Sequence, residues 1–245
     1  MKMKLSGIGL FCVVLFCSLE SAAQKKAGFH TVSLNNLGEF DPATSNWKLA
    51  KSVFFSPDTD EKRFEPGVGI VLALPVKPDT GHLFTRMQHG DIELEFDFAV
   101  AKQSNSGVYL QGRYEVQIFD SWGVATPAFY DCGGIYQRWN ESRVSKKGFE
   151  GKVPAQNACK APGTWQHFKI VFQSPRFDKK GQKTANAKFI KVQLNDVVIH
   201  ENVEVTGPTR SAAFEDERPT GPLMFQGDHG PVAIRNIRYT LLQQK

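Results

Sequence analysis

Four ionisable residues and a group of amides and rings carry the chemistry this sequence offers. Glu115 and Asp120 fall in Tyr114-Glu115-Val116-Gln117-Ile118-Phe119-Asp120, His229 in Gly227-Asp228-His229-Gly230, and Arg235 in Ile234-Arg235-Asn236-Ile237. A carboxylate can take a proton from a reacting carbon, a histidine near neutrality can give or take one, and a guanidinium can hold an oxyanion. Tyr109, Gln111, Gln117 and Gln226 offer the phenol and amide groups that suit sugar hydroxyls. Trp122, Tyr136 and Trp139 offer faces on which the C–H side of a pyranose stacks. Each also has an ordinary role. Glu115 can pair with Arg113 or a lysine, His229 can cap its turn, and Arg235 can bridge to an acidic strand residue. Asp120 can form the turn before Ser121-Trp122-Gly123, and the rings can pack their own loop down. His229 with Glu115 or Asp120 could bind a divalent cation, although no ligand spacing demands one, and nothing suggests zinc.

Strands must position these groups. In residues 105–120, Val108 and Leu110 point one way and Tyr109 and Gln111 the other; Val116 and Ile118 again oppose Glu115 and Gln117. This is the period-two signature of half-buried strands. Asp120 lies five residues after Glu115, on the opposite face of a regular strand, so sharing a face with it requires a β-bulge between them. Residues 91–100 alternate most clearly, with Ile92, Leu94, Phe96 and Phe98 against Glu93, Glu95 and Asp97. That acidic face is either solvated or a second wall of the Glu115 cleft. Asn195-Asp196 between two β-prone runs predicts a two-residue hairpin. Residues 69–75, 165–173, 187–194, 197–200, 223–226 and 232–242 also read as strands. About ten strands with no confident helix and no internal repeat predict an all-β sandwich of two antiparallel sheets, a jelly roll.

Residues 1–23 read as a signal peptide, with Lys2 and Lys4 ahead of a short apolar run and Ser21-Ala22-Ala23 at the cleavage site. Cleavage after Ala23 leaves 24–245 as a single exported domain, periplasmic or extracellular, without a membrane span. The formal net charge of +5 is mild and its lysine pairs are scattered, which argues against a nucleic-acid partner. Cys132 and Cys159 remain after cleavage, as one disulfide or as two buried thiols.

Asn105-Ser106-Gly107-Val108, the Tyr114–Asp120 run, Gly133-Gly134-Ile135-Tyr136, Pro162-Gly163-Thr164-Trp165-Gln166 and Asp228-His229-Gly230 with Ile234-Arg235-Asn236-Ile237 together resemble one family. It is the 3-keto-disaccharide (3-keto-glycoside) hydrolase family, and the resemblance runs from about residue 30 to 243. It implies a concanavalin A-like jelly roll and a glycoside or oligosaccharide partner whose sugar is oxidised to a ketone at C3. Cys159 departs from the small polar residue common there. A ketone at C3 acidifies the C2 proton; a base removes it, the enolate expels the C1 substituent, and water adds back. Such a site needs a base, for which Glu115 is the first choice, with Arg235 on the enolate oxygen and His229 or Asp120 as acid.

The same strand is also similar to the Glu-x-Asp-x-x-Glu strand of laminarinase-type β-glucanases, but Gln117 stands where a carboxylate is needed and Asp120 is shorter than the glutamate. A carbohydrate-binding module without turnover is the third reading.

Overall fold

The computed structural model describes residues 28–41, 46–75 and 81–243; the expected signal peptide lies outside them. Among the described residues there is no helix, and none therefore long and apolar enough to cross a membrane. The strands are β1 (His30–Thr31), β2 (Trp47–Phe55), β3 (Lys62–Ala73), β4 (Leu83–His89), β5 (Ile92–Val100), β6 (Asn105–Leu110), β7 (Tyr114–Phe119) and β8 (Arg138–Trp139). They continue with β9 (Gly148–Phe149), β10 (Gln166–Gln173), β11 (Arg176–Phe177), β12 (Lys183–Ala185), β13 (Ala187–Leu194), β14 (Val197–Val205), β15 (Gly221–Phe225) and β16 (Val232–Leu241). The larger sheet runs β14-β13-β10-β5-β16-β3-β2, with β1 added to β16; the smaller runs β4-β15-β6-β7. All pairings are antiparallel, as a jelly-roll sandwich requires.

Alternation explains the packing. The apolar set of β5 faces inward with Phe168, Ile170 and Phe172 of β10, and meets Val108, Leu110, Val116, Ile118 and Phe225 from the smaller sheet. Phe96 joins the layers: its ring lies 5.7 Å from Phe168 in its own sheet and 5.5 Å, edge-on, from Phe225 in the other. Each such fully buried phenylalanine contributes about 1.5–3 kcal/mol. Asn195 and Asp196 both have positive φ, 51° and 67°, as the tight β13–β14 turn demands.

The acidic face of β5 is not a cleft wall. Glu93 and Glu95 pair with Lys169 of β10 at 2.7 and 2.9 Å, Glu95 also with Arg238, and Asp97 accepts from His167 at 2.8 Å and Asn236 at 2.7 Å. These pairs cover the outer face of the larger sheet. Strand β3 starts at Lys62, seven residues earlier than its apolar run suggests, because Lys62–Pro66 is a polar extension paired to β2. Cys132 and Cys159 are both buried as free thiols.

Candidate active site

The outer face of the β6–β7 hairpin forms the floor of a polar cleft. The two strands pair without a register shift, Tyr109 opposite Glu115 and Gly107 opposite Gln117. Because Val108 and Val116 face the core, these four face out, under the loops that cover the smaller sheet. A methyl group on Gly107 would overlap Oε1 of Glu115, so this glycine is required for close approach of a side chain. Glu115 is only 3% exposed. Burial pushes its carboxyl up to about 8; the hydrogen bond from the Tyr109 hydroxyl works against that shift and the nearby Asp228 charge adds to it. Burial and the Glu115 charge raise the Tyr109 phenol well above its ordinary value, so it stays a donor.

Two loops build the walls. In the first, Gln117 N donates to Gly134 O, Gly133 N to Gln117 O (both 2.8 Å), and Tyr136 N to Glu115 O at 3.2 Å. Residues 133–136 thereby extend the small sheet beyond β7 and bring Tyr136 beside Glu115. A side chain on Gly134 would collide with the Phe129 carbonyl, and Gly133 has a left-handed backbone, φ 85°, with a side chain there running into Ile199. The second loop, 206–219, is fastened to the β6–β7 turn. Thr209 Oγ1 accepts from Glu115 N at 3.2 Å and donates to Arg113 O at 3.0 Å. Arg113 pairs with Asp216 at 2.6 Å, and Tyr114 Oη donates to Glu217 at 2.7 Å. The fastened loop delivers Arg210 and Ser211 to the cleft. Arg210 stacks its guanidinium 4.1 Å from the centre of the Trp139 ring. Ser211 sits in the left-handed region, φ 63°, a strained state of the kind that clusters at functional sites.

Beyond β15 stands the third wall. Nδ1 of His229 faces Nε2 of Gln226 at 3.2 Å and Oδ1 of Asp228 at 2.7 Å. Unprotonated, it accepts from Gln226; protonated, it pairs with Asp228. The cleft holds about 210 Å³ and is lined by Asn105, Tyr109, Glu115, Gln117, Tyr136, Arg210, Ser211, Gln226 and His229. Glu115 is the only carboxylate in that lining. Among the described residues no three of His, Cys, Asp and Glu converge so as to hold a metal ion.

Of the residues expected from sequence to act here, Glu115, His229, Tyr109, Gln117, Tyr136 and Gln226 meet at the cleft. Trp139 is one layer back, beneath Arg210. Four expectations are corrected. No bulge separates Glu115 from Asp120, and Asp120 instead closes a turn, accepting from Gln103 N at 2.9 Å and Trp122 N at 3.3 Å. Arg235 lies on the outer face of the larger sheet, 3.9 Å from the Trp165 ring centre and 3.3 Å from Asp97. Gln111, with φ 56°, is buried in the hairpin turn and donates to His89 O and Pro219 O. Trp122 is 60% exposed and lines no part of the cleft. Arg210, Ser211 and Asn105 were missed as site residues. Arg210 sits in a loop without periodicity, and only its distance from β7 along the chain, not in space, is visible in sequence.

The two antiparallel sheets packed face to face, with a polar cleft over the outer face of the smaller one, make the protein a jelly-roll sandwich. The chain belongs to the 3-keto-alpha-glucoside-1,2-lyase-like domain family, whose model matches residues 33–240. A candidate glycosyl hydrolase from Parabacteroides distasonis shares the fold at 23% identity, with 86% of this chain and 84% of that one covered and a TM-score of 0.56. A second from the same organism is 21% identical over 80% of this chain and 99% of that one, TM-score 0.47. An endo-beta-1,4-glucuronan lyase from Trichoderma reesei is 10% identical over 89% and 96%, TM-score 0.44. Comparison with curated proteins finds no match.

Proposed function

We propose that this protein cleaves glycosides whose sugar carries a ketone at C3, by elimination across C1 and C2. The observation that carries the reading is Glu115: a single buried carboxyl, held near pH 8, in a cleft with no second carboxylate in its lining. Retaining glycoside hydrolysis needs a pair about 5–5.5 Å apart. A lone base of near-neutral pKa suits proton abstraction next to a carbonyl.

Glu115 takes the C2 proton, the C–H electron pair becomes the second bond between C2 and C3, and the ketone's π pair moves onto O3 to give an enolate. Arg210 is the cation lining the cleft and takes over the role expected of Arg235, holding that oxygen by charge-assisted hydrogen bonds. The enolate collapses to restore the ketone and form a C1–C2 double bond, while the C1–O bond breaks and its electrons go to the aglycone oxygen. His229 supplies the proton that oxygen needs. The products are an alcohol and an unsaturated keto sugar; addition of water to C1 completes net hydrolysis. The expected leader at 1–23 would have the protein meet its substrate in the periplasm or outside the cell.

The test is a paired assay of a 3-keto-glucoside and its unoxidised parent, with and without a chelator. Release of aglycone from the keto sugar alone is expected. Cleavage of the parent alone overturns the reading, and binding of both with turnover of neither makes the protein a carbohydrate-binding module.

A further inference from the structure

We propose that Cys132 and Cys159 are the two halves of a redox staple: thiol–disulfide exchange joins them and closes the segment that carries the Tyr136 wall of the cleft. The inference is independent of the reaction proposed above. Its observation is where the pair stands. Between the two cysteines the chain leaves the smaller sheet and returns, and its two branches run antiparallel. Ile135 and Lys152 exchange backbone hydrogen bonds of 3.1 and 2.9 Å, and further out Arg138 pairs with Phe149 and Trp139 with Gly148. Cys132 and Cys159 stand where the two branches meet the sandwich, both buried and both part of its main core. Their thiols contact each other and converge on one acceptor, the Phe119 carbonyl, which lies 3.6 Å from Cys159 Sγ. A bond between them is the bottom rung of that ladder.

Neighbouring contacts already hold the two backbones together. Ser121 Oγ accepts from Cys132 N at 2.7 Å, Asn157 Oδ1 accepts from Cys159 N at 3.0 Å, and Asn157 Nδ2 donates to Ser121 O at 2.7 Å. Thiols held in contact lose little further freedom on bonding, whereas in the unfolded chain the bond restrains the whole intervening segment, so the bridge favours the folded state. The exchange takes a disulfide as oxidant, on a small molecule or a protein. The hydrogen bond from the Cys132 thiol holds Cys159 below the ordinary thiol range and burial pushes Cys132 up, so Cys159 attacks first. Its thiolate displaces one thiolate from the donor disulfide and forms a mixed disulfide. Cys132 then gives up its proton and attacks the Cys159 sulfur, expelling the second thiolate. The pair loses two electrons and two protons, and the donor is reduced to two thiols. Cys159 is also the more exposed of the two, 6% against 1%, and its neighbours Gln156 and Lys160 are exposed, so local opening of that branch admits the oxidant.

The experiment incubates the folded, reduced protein with oxidised glutathione and, separately, with reduced glutathione. Alkylation in denaturant and peptide mass mapping then read Cys132 and Cys159 by position, so that Cys12 and Cys17 do not enter the result. After oxidation a linked Cys132–Cys159 peptide pair without retained glutathione is expected. The bridged form should melt at least about 5 °C above the reduced one, and its Ile135 and Tyr136 amide protons should exchange at least about 10-fold more slowly. In Cys159→Ser the Tm should no longer respond to oxidised glutathione. Both thiols still alkylated after oxidation, or either one carrying glutathione in place of the link, overturns the inference. A linked pair with Tm or amide exchange unchanged overturns it too, as does a Cys159→Ser chain whose Tm rises as much as the parent's. Should Cys159→Ser fail to fold, the oxidised and reduced forms of the parent chain decide by the same criteria.

Discussion

The carboxyl group of Glu115 occupies the space that a side chain on Gly107 would fill, diagonally across the β6–β7 ladder. The smallest residue on one strand thus sets where the carboxyl on the next can lie. Gly107→Ala should push the carboxyl away from its place against the Tyr109 hydroxyl. Misplacement of a base by about 1 Å costs about 100-fold in rate. The variant should keep its β-type circular dichroism and lose at least that factor in kcat; unchanged kcat would show that Glu115 need not lie there.

The raised Glu115 carboxyl fixes the sign of the pH profile. A base must be ionised, so on a keto sugar whose aglycone leaves without the His229 proton, kcat/KM should rise about tenfold per pH unit below about 8 and level off above it. An acid of the same pKa would give the mirror image. Initial rates on the keto sugar between pH 6 and 9, with Glu115→Gln inactive at every pH, discriminate the two.

The same shift costs stability. The folded-state value of about 8 exceeds the ordinary 4.5, so the unfolded chain holds fewer protons between those limits. Stability from this group is full below about 4.5 and falls by about 1.4 kcal/mol per pH unit until about 8. Glu115→Gln removes that slope. Its Tm should exceed that of the parent chain, with the gap widening from pH 5 to 8; a gap that narrows on that interval would contradict the buried neutral carboxyl.

His89 has the opposite sign. Its ring is fully buried, with Nδ1 donating to Gly90 O at 2.8 Å and Nε2 accepting from Gln111 N at 2.9 Å. Burial pushes it down to about 4, against the opposing pull of the Gly90 carbonyl and Asp91. Its contribution is therefore present above about 6.5 and lost as pH falls toward 4. His89→Leu should flatten that acid limb in thermal melts, and at pH 7 cost about 1–3 kcal/mol through the stranded Gln111 amide.

Two arginines separate the site from the scaffold. Arg210→Ala should lower kcat/KM on the keto sugar by about 100-fold or more, in the range measured for loss of one oxyanion donor. Arg235→Ala, which removes a stacked cation from the outer sheet face, should leave kcat/KM within about twofold and cost about 1 kcal/mol in a denaturant melt. The reverse pattern would return the anion-binding role to Arg235.

Much of the fold was legible because burial on one side of a strand forces alternation. Ile92 to Phe98 announced β5 in this way, and Asn195-Asp196 announced its hairpin by tolerating positive φ. The extension of β3 through Lys62 was not legible, since an edge-side ladder with polar side chains leaves no hydrophobic pattern. The acidic face of β5 was ambiguous for a similar reason. Glu93, Glu95 and Asp97 read alike whether they meet water, a substrate or Lys169 and Arg238 on neighbouring strands.

By itself the sequence determined which side of β6 and β7 carries Tyr109, Glu115 and Gln117, because the core claims the alternate residues. It also determined that Gln117 is no carboxylate and that no regular strand sets Asp120 beside Glu115. Only the tertiary structure decided that a loop nearly a hundred residues downstream brings Arg210 into the cleft, and that Arg235 belongs to the other sheet. Period-two patterns report which face a side chain takes, whereas which loops arch over that face depends on pairing and anchoring between distant segments, here Thr209, Asp216 and Glu217 on the β6–β7 hairpin.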